Sequence, residues 1–152
     1  MPSFLLNVPL LTQRSRSDCL PICVEMALIY YGRQVDSRWL RQVLQATAIG
    51  TPGFKVLNLA AHGYHVTYAP ATDERVLLQS LAEGTPPIAL VRTDNLSYWQ
   101  VDTAHALVVT GMDDESVIVN DPAFPIQQRI PRTEFMLAWS DFDYLYALIR
   151  PT

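Results

Sequence analysis

The chain has 152 residues, of which 49% are hydrophobic and 17% are charged, and its formal net charge is -4. This length and composition predict a single globular domain, residues 1–152, and exclude a disordered chain. The acidic balance, without any basic cluster, argues against nucleic acid as a partner.

The N-terminal region carries no targeting or membrane signal. The first residues, Met1 to Leu6, have neither a basic n-region nor a small-residue cleavage site, so we expect no signal peptide. The longest apolar run, Leu20 to Tyr31, contains a proline and an acid and is too short to span a bilayer. The two cysteines, Cys19 and Cys23, lie four residues apart on one predicted helix, which disfavours a disulfide. We therefore expect reduced thiols and a cytoplasmic protein.

The N-terminal half is predicted to be largely helical. The first helix runs from Cys19 to Tyr31, with Asp18 as N-cap and Gly32 as C-cap. Because this helix is apolar on nearly all sides, we expect it to be central and buried. The hydrophobic periods and the start and stop signals predict further helices at about 37–45, 51–63 and 72–82, and a strand at 64–68.

From residue 87 onward the chain is predicted to be rich in strands. Alternating or continuous apolar runs predict strands at 87–91, 104–110, 116–120, 126–130 and 144–149, with a short helix at about 132–139. Helices followed by antiparallel strands predict an α+β domain, in which the helix that begins at Cys19 packs on the C-terminal sheet.

The segment from Gln13 to Cys19 leads directly into the first helix. A helix N-terminus carries roughly half a positive charge, which stabilises a thiolate at Cys19. The side-chain amide of Gln13, six residues upstream, is a suitable donor for an oxyanion.

A predicted hairpin brings a histidine and an aspartate together. If 112–114 is a three-residue loop closed by Gly111 opposite Glu115, the paired positions are Val109 with Val117, Leu107 with Val119, and His105 with Asp121. Directly opposed residues share one face, with Cβ atoms roughly 5 Å apart. The contact depends on the loop length, because a slip by one residue places the two side chains on opposite faces. Asp102 is the next candidate acid, whereas Asp113 and Asp114 are better explained by turn chemistry.

Gln, Cys, His and Asp in this order are typical of a cysteine hydrolase of papain type. Cys19 would be the nucleophile and His105 its general base, and Asp121 would orient the imidazole. The Gln13 amide and the Cys19 backbone N–H would bind the tetrahedral oxyanion.

Each of these residues also has an ordinary structural explanation, as a small buried hydrophobe, a core histidine or a turn former. Zinc binding by Cys19, Cys23, His105 and Asp121 is a weaker alternative, because a Cys-x3-Cys pair within a helix is an uncommon ligand pair. The chain has no Gly-rich phosphate loop. We therefore predict neither a metal nor a cofactor.

Several other residues with chemical potential lie outside this set. Cys23, one helical turn beyond Cys19, is interpreted as a core residue. Glu25 is either at an exposed edge or a buried, paired acid, and His62 and His65 have no obvious partner. The tryptophans are interpreted as core or cleft-lining residues, and Trp99, in the loop before His105, is a candidate to shape a substrate cleft.

The sequence resembles the bacteriocin-processing, double-glycine leader peptidases, a papain-like cysteine peptidase family. The similarity covers nearly the whole chain and is carried by the segments Val8-Pro9-Leu10-Leu11-Thr12-Gln13, Asp18-Cys19-Leu20-Pro21-Ile22-Cys23, Tyr30-Tyr31-Gly32, Gly50-Thr51, His105-Ala106-Leu107-Val108-Val109 and Asp121-Pro122-Ala123. The resemblance implies a papain-like fold, a Cys19, His105 and Asp121 triad, and Gln13 in the oxyanion hole.

The resemblance also implies a substrate and a partner. The family's best-known members cut leader peptides after Gly-Gly and are fused to an ATP-driven exporter, so we expect a peptide or protein substrate and a separate exporter as partner. Leu20 and Ile22 replace the small Gly and Ala beside the family's nucleophile, and we expect this bulk to narrow or reshape the cleft. A peptidase is therefore the leading hypothesis; a silent peptide-binding domain, or a papain-like transferase or amidase, is the alternative.

Overall fold

A computed structural model describes residues 3–152; Met1 and Pro2, part of the segment considered for a signal peptide, lie outside the described residues. The helices are α1 (Cys19–Tyr30), α2 (Ser37–Val43), α3 (Arg75–Ala82) and α4 (Arg132–Ser140), with 3-10 helices at Gly53–His62 and Thr93–Asn95. The strands are β1 (Phe4–Leu5), β2 (Tyr64–Pro70), β3 (Ile88–Arg92), β4 (Ala104–Met112), β5 (Ser116–Asn120), β6 (Gln128–Pro131) and β7 (Leu145–Pro151).

The strands form one antiparallel sheet. Its order is β2-β7-β3-β4-β5-β6, and β1 pairs with the end of β4. The combination of helices and an antiparallel sheet confirms the predicted α+β class. Among residues 3–152, none of the helices combines the length and apolar character that a membrane span needs.

Helices cover both faces of the sheet. Ala106 and Val108 of β4 belong to the core cluster that contains α1 and α2, whereas Leu107 and Val109 belong to the cluster that contains α3 and α4. Because side chains alternate along a strand, β4 is apolar at both its odd and its even positions. The sheet is thus the middle layer on which α1 is held.

Helix α1 is the central buried helix, as predicted. Every residue from Leu20 to Leu28 is buried. Asp18 occupies the N-cap position, but its side chain does not cap the first turn; it accepts the N–H of Arg14 at 3.1 Å and pairs with the guanidinium of Arg41 on α2. The helix ends at Tyr30, one residue before the predicted end, with Tyr31 as C-cap and Gly32 next at a φ of 77°.

Some element bounds differ from the predictions. The helix expected at 51–63 is a 3-10 helix that ends at Gly63, whose φ is 88°. Helix α2 ends at Val43 rather than near residue 45. Helix α3 starts at Arg75 rather than 72, because the Asp73 carboxylate accepts the N–H of Arg75 in the preceding turn. Strand β6 starts two residues late, and the side chain of Gln127 bonds instead to Asn120 at 2.9 Å.

The predicted register of the β4–β5 hairpin is wrong by two residues. Val109 pairs with Val119 rather than Val117, and Met112 pairs with Val117. The turn lies further along the chain than predicted, and a bulge between Val109 and Gly111 adds a further offset. On the His105 side of the bulge the displacement is two residues, so the side chains there stay on their predicted face, whereas on the turn side it is three.

The segment before α1 runs along the hairpin towards the start of β4. Leu6 donates its N–H to Thr110 O at 2.7 Å, and the buried Asn120 side chain donates to Val8 O at 3.0 Å. The N–H of Gln13 donates to Pro122 O at 2.7 Å. These bonds connect the segment that leads to Cys19 with the residues that follow β5.

Gly111 lies where β1 crosses close to β4. A Cβ atom at this position would lie 2.6 Å from Phe4 O, closer than real Cβ contacts, and the neighbouring atom belongs to backbone that cannot rotate away. Only glycine therefore allows β1 to pair at the bulge.

Gly111→Ala is expected to lower the free energy of unfolding by about 1–3 kcal/mol, because the new methyl group displaces β1. Denaturant unfolding followed by circular dichroism measures this. Ser116→Ala, across the turn of the same hairpin, is the matched control and should change the stability by no more than about 0.5 kcal/mol. Equal stability of the two variants would contradict the close contact with β1.

Candidate active site

Cys19 is the first residue of α1, and its thiol faces the start of β4. The residue is half-buried, and its side chain hydrogen-bonds with His105. The backbone N–H groups of Ala106 and Leu20 also donate to the sulfur. These donors stabilise negative charge at a helix N-terminus, where the helix dipole already favours it.

His105 lies between the thiol and a buried carboxylate. It is the second residue of β4 and is only 4% exposed. Its Nε2 lies 2.6 Å from Oδ1 of Asp121, which leaves Nδ1 as the ring nitrogen for the Cys19 thiol. Asp121 directly follows β5, whose last residue pairs with Val108, so the imidazole and the carboxylate meet diagonally rather than face to face.

Asp121 is fully buried and accepts hydrogen bonds from several parts of the chain. Besides His105, its donors are the Tyr98 hydroxyl at 2.8 Å, the Trp99 indole Nε1 at 2.9 Å and the Ala123 N–H at 2.9 Å. Burial raises the pKa of Asp121, but the bonds from His105, Ala123 and Trp99 outweigh it, so the pKa lies below its ordinary value. The carboxylate is therefore ionised at neutral pH.

The three side chains favour an ion pair. Burial raises the pKa of Cys19, but the hydrogen bond and the charge of His105 outweigh burial. The net effect lowers the pKa of the thiol from its ordinary value of 9.0. Burial lowers the pKa of His105, but the bonds to Asp121 and Cys19 raise it to about 9. Both shifts favour the thiolate form of Cys19 and the imidazolium form of His105, which is the reactive form of a cysteine–histidine pair.

A layer of aromatic side chains packs against His105 and Asp121. The Trp99 ring contacts the His105 ring edge-on, with centroids 4.7 Å apart, and Phe124 packs against both Trp99 and Tyr98. Trp99 is absent from the residues that line the groove beside Cys19, so its contact is with the histidine and the aspartate instead. Sequence reasoning missed Tyr98; the signal was an adjacent aromatic pair in a polar loop just before His105.

Gln13 is half-buried and lies beside the residues that follow Asp121. Its backbone N–H bonds to Pro122, the residue after Asp121. Its side-chain Oε1 is buried and has no hydrogen-bond partner within the described residues. Gln13 is thus held next to Pro122, and the oxygen of its side-chain amide accepts no hydrogen bond from the described residues.

A groove of about 640 Å³ passes Cys19 and His105. The loop 45–55 forms one wall, Arg16 and Ser17 lie beside Cys19, and Leu90 and Phe142 contribute apolar surface. Leu20 also borders the groove although it is 1% exposed, whereas Ile22 is buried in the core away from it. The loop 45–55 was not recognised from the sequence, since it has no hydrophobic period.

The other sequence candidates lie in ordinary structural roles. Cys23 is fully buried, and burial raises its pKa, which confirms the core interpretation. Glu25 is a buried, paired acid that accepts the Ser37 hydroxyl at 2.7 Å and lies 3.8 Å from Arg14. Asp102 pairs with Arg92 on the surface.

Turn chemistry and ring packing account for the remaining candidates. The Asp113 carboxylate accepts backbone N–H groups within the hairpin turn. His62 packs edge-on against Trp39, with centroids 5.2 Å apart. Within residues 3–152, no three His, Cys, Asp or Glu side chains are grouped as metal ligands, so the zinc alternative has no assembled donor set.

Tyr98→Phe is expected to lower the free energy of unfolding by about 1–3 kcal/mol, because the buried Asp121 carboxylate loses a donor. The folded-state pKa of Asp121 lies below 3.8, so its ionised form contributes stability above that pH and loses it as the pH falls. The difference between wild type and variant should therefore narrow on acidification, as measured by denaturant unfolding at several pH values.

Tyr146→Phe is the control, since the Tyr146 hydroxyl has no hydrogen bond among the residues described and its residue is 9% exposed. It should change stability by no more than about 0.5 kcal/mol. A Tyr98→Phe protein that matches this control at every pH would contradict the role assigned to the Tyr98 hydroxyl.

Solved structures of known proteins share this fold. A protein from Bacillus anthracis described as a C39-like peptidase superposes with a TM-score of 0.81 at 18% identity over 100% of both chains. A double glycine motif protease from an AMS/PCAT transporter, solved with a leader peptide, gives 0.78 at 20% identity over 98% of this chain and 95% of that one. The peptidase domain of Streptococcus ComA, a bi-functional ABC transporter of a quorum-sensing pathway, gives 0.75 at 21% identity over 96% and 100%.

These likenesses confirm the predicted papain-like fold. A search of curated proteins finds no match to the sequence. A family model, the Peptidase_C39 like family, matches residues 5–146 and thus spans most of the chain. The fold, the extent of that match and the resemblance seen in the sequence agree, and the chain belongs to the Peptidase_C39-like family.

Proposed function

We propose that this protein is a cysteine peptidase that cleaves a peptide substrate through an acyl-enzyme intermediate. The observation that carries the proposal is the chain of contacts from Cys19 through His105 to Asp121, in which the pKa of the thiol is lowered and that of the imidazole is raised. A silent binding domain has no need of a thiolate held against an imidazolium, and this argues for catalysis.

In the first half-reaction the Cys19 thiolate attacks the scissile carbonyl carbon, and the carbonyl electrons move to oxygen. The Gln13 side-chain amide and the Cys19 backbone N–H are the proposed donors to this oxyanion. As the C–N bond breaks, His105 gives its proton to the leaving amine, and a thioester remains on Cys19.

In the second half-reaction His105, now neutral, takes a proton from water as the water attacks the thioester. The second oxyanion collapses, the C–S bond breaks, and the carboxylic acid product leaves while Cys19 returns to a thiolate beside a protonated His105. Asp121 stays ionised throughout and holds the imidazole by its Nε2.

The substrate and setting are also proposals. One structural neighbour is solved with a leader peptide, and another is the peptidase domain of an ABC transporter. We infer that this chain acts on a leader-bearing peptide in the cytoplasm, in concert with an exporter. The reducing conditions there keep the Cys19 thiol free.

Cys19→Ala is expected to abolish cleavage without unfolding the protein, because it removes the nucleophile and little else. The assay is incubation with a peptide library and detection of new termini by mass spectrometry. Cys23→Ala, the same change one helical turn deeper, is the matched control and should retain cleavage. Cleavage that persists in Cys19→Ala would exclude the mechanism, and no cleavage by the wild type would favour a binding domain or a non-peptide acyl substrate.

Alkylation by iodoacetamide tests the ion pair without any substrate. Because His105 lowers the pKa of Cys19, wild-type Cys19 should react at lower pH than a free thiol, and Cys23 should stay unreactive since burial raises its pKa. In His105→Ala the lowering contribution is lost while burial remains, so the reaction should shift to higher pH. Mass spectrometry separates the two cysteines, and a Cys19 that reacts no faster than a free thiol would contradict the proposal.

A further inference from the structure

The groove beside Cys19 has an unbalanced charge. Arg16 and Lys55 line it, and no Asp or Glu is among its lining residues, although the whole chain has a net charge of -4. Neither cation has a carboxylate within ion-pair distance among residues 3–152; Lys55 instead donates to the Gln45 side chain. A concave site lined by charge of one sign concentrates its field on whatever binds there.

Two acids close to this groove in the chain are already neutralised, and Asp141 and Asp143, which flank the lining residue Phe142, are exposed and do not themselves line the groove. Asp18, two residues after Arg16, pairs with Arg41. Asp102, next to the lining residue Thr103, pairs with Arg92 at 2.9 Å. The positive charge of the groove is therefore not cancelled by these neighbours.

Lys55 contacts a residue with an unusual backbone conformation. Gln45, in the turn after α2, has a φ of 55°, a left-handed conformation that is strained for a residue with a Cβ. Its side-chain oxygen accepts the Lys55 ammonium, and both residues face the groove. Nearby, Thr51 Oγ1 is buried without a hydrogen-bond partner within the described residues and can donate to a bound acceptor.

These cations do not account for the reactivity of the thiol. The groups that lower the pKa of Cys19 are His105 and the backbone N–H groups of Ala106 and Leu20, and neither Arg16 nor Lys55 is among them. Their charge is thus available for a bound molecule.

We propose that Arg16 and Lys55 form a specificity site for an acidic side chain of the peptide substrate, so that the protein prefers peptides with Asp or Glu close to the scissile bond. The expected preference in cleavage rests on the proposed function. The expected preference in peptide binding does not, because binding needs only the groove. An exposed ion pair favours a charged ligand only several-fold, so two such pairs should together favour a glutamate over a glutamine by roughly tenfold.

The first experiment measures binding alone. Decapeptides of random sequence are displayed with their C-termini fused to a carrier protein, so that no free C-terminal carboxylate is present. Peptides that bind to the immobilised Cys19→Ala protein are then selected. Acidic residues should be enriched at one or two fixed positions, and this enrichment should disappear with Arg16→Gln and Lys55→Gln together. Arg38→Gln removes an exposed cation on α2 that does not line the groove, and this control should leave the enrichment unchanged.

The second experiment is a double-mutant cycle on one selected peptide, synthesised with a C-terminal amide. Exchange of its glutamate for glutamine should weaken binding roughly tenfold in Cys19→Ala and less than about twofold when both cations are also replaced. Fluorescence anisotropy gives the dissociation constants, and melting temperatures check that each variant folds. Salt should weaken binding of the glutamate peptide more than that of the glutamine peptide.

The outcomes separate this inference from the proposed function. Cleavage without any acidic preference would overturn the inference and leave the peptidase intact. An acidic preference that depends on both cations, without cleavage by the wild type, would support the inference and contradict the peptidase. Either the absence of any selected peptide or a preference unaffected by the two substitutions would overturn it.

Discussion

The buried carboxylate of Asp121 is the group on which the site depends. An uncompensated anion at 0% exposure would cost several kcal/mol, and here it is compensated by donors from separate stretches of chain. Tyr98 and Trp99 come from the loop before β4, His105 from the start of β4, and Ala123 from the turn after β5. Satisfying one charge therefore fixes the loop, the strand and the turn relative to each other, and it fixes the ring that faces Cys19.

Contacts on two sides hold helix α1 in place relative to His105 and Asp121. On one side, the segment before α1 is bonded along β4 and β5, and Gln13 is tied to the residue after Asp121. On the other side, the buried Asp18 connects the start of α1 with Arg41 of α2. Helix α1 itself packs its whole buried length against the sheet. Cys19 is thus positioned by contacts on each side of it, and not by the helix alone.

Much of the site could be predicted from the sequence, because the patterns used give the correct side-chain contact even when an element bound or a strand register is wrong by an even number of residues. The contact of His105 with Asp121 was predicted from a register that is wrong by two residues, yet a period of two returns the same face after an even displacement. The bulge itself was not predictable, since it depends on the approach of β1 to Gly111 across more than one hundred residues. Cys19 was found because a helix N-terminus is marked locally by its cap and its apolar run.

The features that sequence reasoning missed lack a period or depend on distant partners. Tyr98 was not identified, and Trp99 was predicted to shape the cleft rather than to donate to Asp121, because both lie in an irregular loop where no repeat indicates which way a side chain faces. The state of Glu25 was open because its partners, Ser37 and Arg14, lie outside its helix. Tertiary contact, and not local propensity, decides such cases.

The two bulky residues beside Cys19 differ in their position relative to the groove. Ile22 and Leu20 are each 1% exposed, so most of their volume fills the core beneath α1, and only Leu20 borders the groove. The opposite wall is the loop 45–55, which ends in the left-handed Gln45 on one side and carries the 98% exposed Ile49 at its tip. This loop supplies no hydrogen bond to Asp121. Of the two cations proposed to select the substrate, Lys55 therefore lies on a segment apart from the Cys19, His105 and Asp121 contacts, whereas Arg16 lies three residues before Cys19 and connects the two.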